Sequence, residues 1–233
     1  MYGVFSFFST IAVYNGQRLF KASKTPATEW LRWVHKNQRG IFLVVVFAST
    51  LSLLTFIQLQ QLDWRTFALL SISGLISIFY VLKIRGVNMR EIPYLKIHLI
   101  AFTWVVVLLI FPILNEKVNV QILPIAIAHY LYVVAISIPF DIRDLRFDNP
   151  SQKTIPQLLG VISSKILAFF LLGLFFFILV YTYPTLLFNP FFYLATFAQA
   201  VLILIMNESR SDFYCAGLID GAIGLLGLSY FWM

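Results

Sequence analysis

Long runs of apolar residues, separated by short polar stretches, make up most of the chain. Seven of these runs are close to or longer than the roughly 18 residues that mark a membrane-spanning helix. A shorter apolar run, positions 1–14, opens the sequence. We therefore predict eight helices, the first shorter than the rest, and the seven longer ones fall at 40–59, 66–83, 97–114, 120–140, 157–182, 185–206 and 217–232.

The composition places these helices in a membrane. Apolar residues make up 60% of the 233 positions, and charged residues only 12%. A soluble domain of this size carries more charge on its surface. No internal repeat or low-complexity linker divides the chain. We therefore predict an all-α integral membrane protein, with about eight transmembrane helices and one domain covering 1–233.

Lysine and arginine are distributed unevenly between alternate loops. With the N-terminus outside, fourteen of the 17 Lys and Arg residues fall in loops on the cytoplasmic side. Arg65 and Lys117 lie on the opposite side, and Lys165 lies within a predicted helix. This asymmetry follows the positive-inside rule, and we expect a bacterial inner (cytoplasmic) membrane protein. The net charge of +7 therefore indicates contact with anionic membrane lipid, not with nucleic acid.

One polar stretch, 141–160, interrupts the apolar pattern and holds three of the ten acidic residues within its first eight positions. If the preceding helix continues, Asp141, Asp144 and Asp148 lie at i, i+3 and i+7 and share one face. Carboxylates so close together need a compensating cation. Oxygen ligands suit Mg²⁺, which prefers one or two carboxylates plus the oxygens of a phosphorylated substrate. The alternative is a solvated loop in which the acids pair with the neighbouring bases, Arg143, Arg146 and Lys153.

The spacing Asp-x-x-Asp-x-x-x-Asp, followed by Lys-Thr-x-Pro and Leu-Leu-Gly, resembles the second aspartate-rich motif of the UbiA superfamily of membrane-embedded aromatic prenyltransferases. It is most similar to the branch that prenylates quinone precursors such as naphthoates. The resemblance implies a single helical bundle with a central cavity open to the cytoplasmic side. It also implies that Asp141, Asp144 and Asp148 are catalytic and hold Mg²⁺ and the diphosphate of a polyprenyl donor, with Lys153 near that diphosphate.

The first aspartate-rich motif of the family, Asn-x-x-x-Asp-x-x-x-Asp, is only partly present. The matching positions are Asn15, Leu19 and Ser23, so the asparagine is kept and both acids are missing. We expect Asn15 and Arg18 to contact the diphosphate, Arg18 directly in place of a metal-bridged contact. The alternative is that Arg18 only anchors the helix at the membrane surface. Because the family has a further helix before this motif, we expect the chain to lack the first family helix.

Three further bases are candidate diphosphate ligands. The loop before the helix at 97–114 resembles a substrate-binding loop of the family, which implies that Arg90 and Lys96 contact the diphosphate. Charges that only set the topology are the competing explanation. Lys165 lies inside an apolar helix, where an ionisable group is costly. We expect it to approach the aspartates or the diphosphate, with snorkelling to the membrane surface as the alternative.

The last polar loop and the segment 22–39 complete the predicted site. Tyr214 and Asp220 are expected to position the acceptor, unless Asp220 or Asp212 forms an ion pair with Arg210. In 22–39, tryptophans among basic residues are typical of an interfacial amphipathic helix. The resemblance implies that this segment covers the site, and a plain membrane anchor is the alternative.

The predicted function is Mg²⁺-dependent transfer of a polyprenyl group from a polyprenyl diphosphate to an aromatic, quinone-precursor-like or other lipid acceptor. A non-catalytic UbiA-like protein that binds isoprenoid or lipid is the alternative, favoured by the missing first-motif acids. A secondary transporter would show inverted repeats and broken helices near the midplane. Soluble nucleotide-binding and hydrolase classes are disfavoured because the sequence lacks their glycine-rich, nucleophile-elbow and zinc-spacing motifs.

Overall fold

A computed structural model describes residues 1–22, 29–59, 63–82, 89–116 and 120–232, and these residues form helices and turns without a strand. The first four helices precede residue 80. They are α1 (Tyr2–Ala22), α2 (Glu29–Lys36), α3 (Gln38–Ile57) and α4 (Trp64–Phe79).

The remaining helices begin at Leu95. A π-helical segment, Val106–Ile110, joins α5 to α6, and another, Tyr214–Ile219, leads into α10. Short 3₁₀ turns lie at Met89–Glu91, Pro150–Gln152, Pro184–Phe188 and Tyr230–Trp232. The helices are α5 (Leu95–Val105), α6 (Phe111–Glu116), α7 (Ile122–Asp144), α8 (Ile155–Thr182), α9 (Pro190–Leu204) and α10 (Asp220–Ser229).

Helices cover all eight apolar runs of the sequence, within the residues that are described. Among the described residues, four stretches are long and apolar enough to cross a membrane, as expected for an integral membrane protein. The predicted total of eight spans stays a prediction. The apolar helices in 64–79, 190–204 and 214–229 are shorter. The four long stretches are Gln38–Ile57, Leu95–Glu116, Ile122–Asp144 and Ile155–Thr182.

The first helix is longer than predicted. Its 21 residues continue past the end of the apolar run at residue 14, through Arg18 and Lys21. The polar residues do not end the helix because its backbone hydrogen bonds do not depend on apolar side chains. The Asn15 side chain also donates to the Ile11 carbonyl, 2.9 Å away. The polar residues that follow the apolar run 1–14 therefore belong to the same helix.

The chain divides into two compact units, and the first contains Met1–Arg90 and Thr103–Val120. In this unit α1 packs along α3, with the rings of Phe5 and Phe56 5.5 Å apart. The hydroxyl of Ser6 donates to the carbonyl of Val107 (2.8 Å), where the π-helical turn leaves carbonyls available. A small core of Ala22, Val34 and Ile41 holds α2 between α1 and α3.

The second unit contains Glu91–Phe102 and Gln121–Met233, and α7 is its central helix. Half of the residues in the apolar part of α7 are buried, which is the largest buried share among the four long stretches. It packs along α8, where Tyr132 and Phe175 have ring centroids 4.7 Å apart. Phe176 in turn stacks on Phe192 of α9 at 5.4 Å. Aromatic packing therefore fixes three helices of this unit side by side.

A kink at Gly160 separates the first turn of α8 from its long apolar part. Gly160 has φ 76° and ψ 169°, a backbone conformation that is essentially limited to glycine. Its carbonyl accepts a hydrogen bond from the Ser164 hydroxyl at 2.6 Å. The polar stretch and the apolar helix can therefore differ in direction at this residue.

We expect Gly160→Ala to destabilise the protein by roughly 1–3 kcal/mol, because alanine must adopt a strained backbone conformation there. A Cβ atom at this position would meet no other atom within 4 Å, so the cost comes from the backbone alone. Thermal unfolding in detergent measures the effect.

Gly173→Ala is the matched control, since Gly173 lies in the same helix, has ordinary helical geometry and equally open surroundings. It should leave stability unchanged or raise it by up to about 1 kcal/mol. Equal melting temperatures for the two variants would contradict the assignment of strain to Gly160.

Candidate functional site

A buried ion cluster joins the start of α5 to the end of α7. The Lys96 ammonium lies 2.7 Å from Asp141 Oδ1 and 2.5 Å from Asp148 Oδ2. The three residues are 7%, 4% and 9% exposed. We call Lys96, Asp141 and Asp148 the Lys96 cluster. Both carboxylates contact the same ammonium group. A single metal ion would require carboxylates that converge on one position in the same way.

Local helical geometry explains why the two carboxylates meet. Asp141 lies in the last turn of α7, and the chain continues with a helical turn in which the Asp148 N–H donates to the Asp144 carbonyl at 2.8 Å. Two turns of helix return the side chain to the same side. Asp141 and Asp148 therefore meet at Lys96 although α7 ends at Asp144, and the predicted common face of Asp141, Asp144 and Asp148 stays a prediction.

Asp144 has a different partner. It accepts a hydrogen bond from the Arg143 guanidinium at 2.8 Å, and the same guanidinium lies 3.3 Å from Asp212. The three aspartates of the motif are thus divided between two cations. In the part of the chain that the structure describes, no three His, Cys, Asp or Glu side chains form a group that could hold a metal. A magnesium site built from all three aspartates stays a prediction.

Charge balance makes the Lys96 cluster costly to disturb. Ions removed from water lose several kcal/mol of solvation each, which their mutual attraction and hydrogen bonds must offset. In the Lys96 cluster, one ammonium group offsets the charge of two carboxylates at 2.5–2.7 Å.

Two residues with unusual backbone geometry flank the cluster. Tyr94 has φ 65° and Lys153 has φ 48°, the only non-glycine residues with positive φ among those described. The Tyr94 N–H donates to the Gln152 carbonyl at 3.1 Å, and the Lys153 ammonium lies 5.7 Å from the Tyr94 ring centroid. Such strained positions often occur at functional sites. The sequence gave no sign that Tyr94 would meet Lys153.

Lys165 binds the end of α9. Its ammonium donates to the carbonyls of Leu204 (2.8 Å) and Met206 (3.1 Å). The last carbonyls of a helix lack partners within the helix and carry partial negative charge, which a lysine can satisfy. Lys165 therefore joins α8 to α9, and its approach to the aspartates or a diphosphate stays a prediction.

The predicted acceptor residues lie around the last helix. The Tyr214 hydroxyl donates to the Leu202 carbonyl at 2.5 Å, and Asp220 is the half-buried first residue of α10. Asp212 binds Arg143, whereas Arg210 donates to the Ile205 carbonyl at 3.2 Å. Tyr214 thus holds α9 against the π-helical segment, and its role toward an acceptor stays a prediction.

Asn15, Arg18 and Arg90 belong to the first unit. The Arg18 guanidinium donates to the Tyr14 hydroxyl at 2.6 Å and lies 5.0 Å from the Trp30 ring centroid. Arg90 is half-buried in the turn Met89–Glu91. Ser23, the third position of the first motif, lies outside the described residues. Contact of these residues with a diphosphate stays a prediction.

Lys96→Met should destabilise the protein by about 3–5 kcal/mol, because it leaves two buried carboxylates without their shared cation. Adding Asp141→Asn and Asp148→Asn to the same protein should restore much of that loss, since the remaining groups are neutral. Unfolding followed by circular dichroism in detergent measures both changes. Lys153→Met, at an exposed lysine, is the control and should have little effect; an equal loss in both single variants would refute the structural role of the cluster.

Comparison of the chain with protein-family models, with curated proteins and with solved structures gave no match.

Proposed function

We propose that the chain is a membrane prenyltransferase of UbiA type, which transfers a polyprenyl group from a polyprenyl diphosphate to an aromatic or other lipid acceptor. The observation that carries the proposal is the convergence of Asp141 and Asp148 on one buried cation, within a motif that resembles the diphosphate-binding motif of that superfamily. The proposal includes a bundle of eight spans with a central cavity, in a bacterial inner membrane and with the motif on the cytoplasmic side.

The Lys96 cluster fits a single Mg²⁺ ion if the lysine moves. Mg²⁺ is held in phosphoryl sites by one or two carboxylates together with substrate oxygens. Asp141 and Asp148 supply two carboxylates that already point at one position. Asp144 would join them only by leaving Arg143. When bound, the metal would neutralise negative charge on the departing diphosphate.

The side chains around the cluster have their own parts in the proposed reaction. The bond between the prenyl carbon and the diphosphate oxygen breaks, the diphosphate keeps the electron pair, and the acceptor forms a new bond to carbon and loses a proton. The Lys96 ammonium, once released from the carboxylates, can bind a phosphate oxygen. Lys153 adds a second positive charge where negative charge develops. Charges held in place in this way lower the activation barrier, because they do not have to reorganise while the bond breaks.

A second candidate function is binding of an isoprenoid or another lipid without catalysis. One specific observation favours it: Lys96 already compensates the two buried carboxylates, as a permanent counter-ion would. In this alternative, the cluster holds α5 and α7 together and needs no metal. The absence of both acids from the first aspartate-rich motif also favours this second candidate function.

Purified protein in lipid nanodiscs, supplied with Mg²⁺, radiolabelled polyprenyl diphosphates and a panel of aromatic acceptors, should form a prenylated lipid and release diphosphate. Asp141→Asn and Asp148→Asn should each lower the rate by roughly 100-fold or more, as expected when a transition-state charge partner is lost. Thermal unfolding of each variant shows whether it is folded at the assay temperature.

Glu208→Gln is the control for loss of an acid, because Glu208 is exposed and lies 3.9 Å from the exposed Arg146. Its rate should equal that of the unchanged protein. Binding of the diphosphate lipid without product from any acceptor would refute the transferase and support the second candidate.

A further inference from the structure

A hollow in the first unit lies between the end of α1 and the start of α3. It is lined by Leu19 of α1 and by Gln38, Arg39 and Phe42 of α3. Leu19 and Phe42 provide an apolar wall, and Arg39 adds an exposed base to the lining, whereas the Gln38 amide lies 2.8 Å from His35 Nδ1. This combination matches an amphiphile with an apolar tail and an anionic head.

Packing beneath the hollow fixes its position. Ala22, Val34 and Ile41 form a buried core in which one residue comes from each of α1, α2 and α3. Leu19, which lines the hollow, packs against this core together with Leu31. The apolar wall and the short helix α2 are therefore held in one arrangement.

The sequence from which the lining residues come is strongly basic. Between positions 15 and 42 the sequence contains six Lys or Arg residues and a single acid, Glu29. Arg39 is exposed beside the hollow. Each basic residue near an anionic surface adds about 1 kcal/mol of attraction. Charge complementarity therefore selects an anionic partner.

Stacked tryptophans point to a lipid as that partner. The Trp30 and Trp33 rings are 5.0 Å apart with 20° between their planes, and both remain exposed on α2. The Arg18 guanidinium lies 5.0 Å from the Trp30 ring. Tryptophan is enriched where lipid headgroups meet water. A soluble anion would not require these exposed rings.

We propose that this hollow binds one anionic phospholipid. Its phosphate is bound by Arg39, and the upper part of an acyl chain lies against Leu19 and Phe42. The stacked pair Trp30–Trp33 lies at headgroup level beside it. This site is formed by α1, α2 and α3 and does not depend on the transferase proposal.

Lipid retention measured by native mass spectrometry, together with titration of detergent-solubilised protein, tests the proposal. Phosphatidylglycerol should remain bound in a 1:1 ratio and raise the melting temperature, whereas phosphatidylcholine should not. Arg39→Gln and Phe42→Ala should each weaken phosphatidylglycerol binding by about tenfold, which corresponds to the loss of one charge-assisted contact or of the apolar wall.

Two matched controls separate a site from general attraction. Arg146→Gln removes the same charge from an exposed position elsewhere, and Leu43→Ala removes an exposed apolar side chain one residue from Phe42. Both should bind the lipid like the unchanged protein. Melting temperatures measured without lipid show that all four variants are folded.

Each other outcome overturns the proposal. Equal losses in Arg39→Gln and Arg146→Gln would mean non-specific attraction to negative charge. Equal binding of phosphatidylcholine would mean that the headgroup is not recognised. Inorganic phosphate that competes at the same concentration as the lipid would identify a free-phosphate site, since the acyl chain would then contribute nothing.

Discussion

The buried contact of one ammonium group with two carboxylates determines how the polar stretch is held. Lys96 and Asp148 are 52 positions apart in sequence, and Asp141 lies between them at the end of α7. Removing any of these ions from water is unfavourable unless the others are close. The start of α5, the last turn of α7 and the turn that follows must therefore keep one arrangement. The strained conformations of Tyr94 and Lys153 occur on either side of this arrangement, where the surrounding contacts can hold them.

The same contact connects the structure to the proposed chemistry. Two carboxylates that converge on an ammonium also converge on the place where a metal ion would be bound. A transferase would need Lys96 to exchange the carboxylates for the phosphate of the substrate, and a lipid-binding protein would keep Lys96 where it is. The two candidate functions thus differ in the behaviour of one side chain. Asp144 stands apart from both, since Arg143 links it to Asp212.

Arg18 and Arg39 of the first unit have different surroundings from Lys96 and Arg143 of the second. Arg18 lies against the rings of Tyr14 and Trp30, and Arg39 lies at the hollow between α1 and α3. Lys96 and Arg143, in the second unit, are bound to carboxylates. The positive-inside rule counts all of these lysines and arginines in the same way. Their surroundings separate the bases that lie against aromatic rings or at the hollow from the bases that are paired with carboxylates.

The sequence by itself determined where the helices lie, because a backbone in an apolar environment must satisfy its hydrogen bonds within a helix, and long apolar runs mark such segments. Its i, i+3, i+7 spacing predicted one face for Asp141, Asp144 and Asp148, but local periodicity does not choose their partners. Hydropathy did not mark the end of α1, because it changes at Asn15 whereas the backbone hydrogen bonding does not. Only the tertiary structure decided that Lys96 is the counter-ion of the two aspartates and that Lys165 binds the end of α9. These partners are distant in sequence, and packing between helices brings them together.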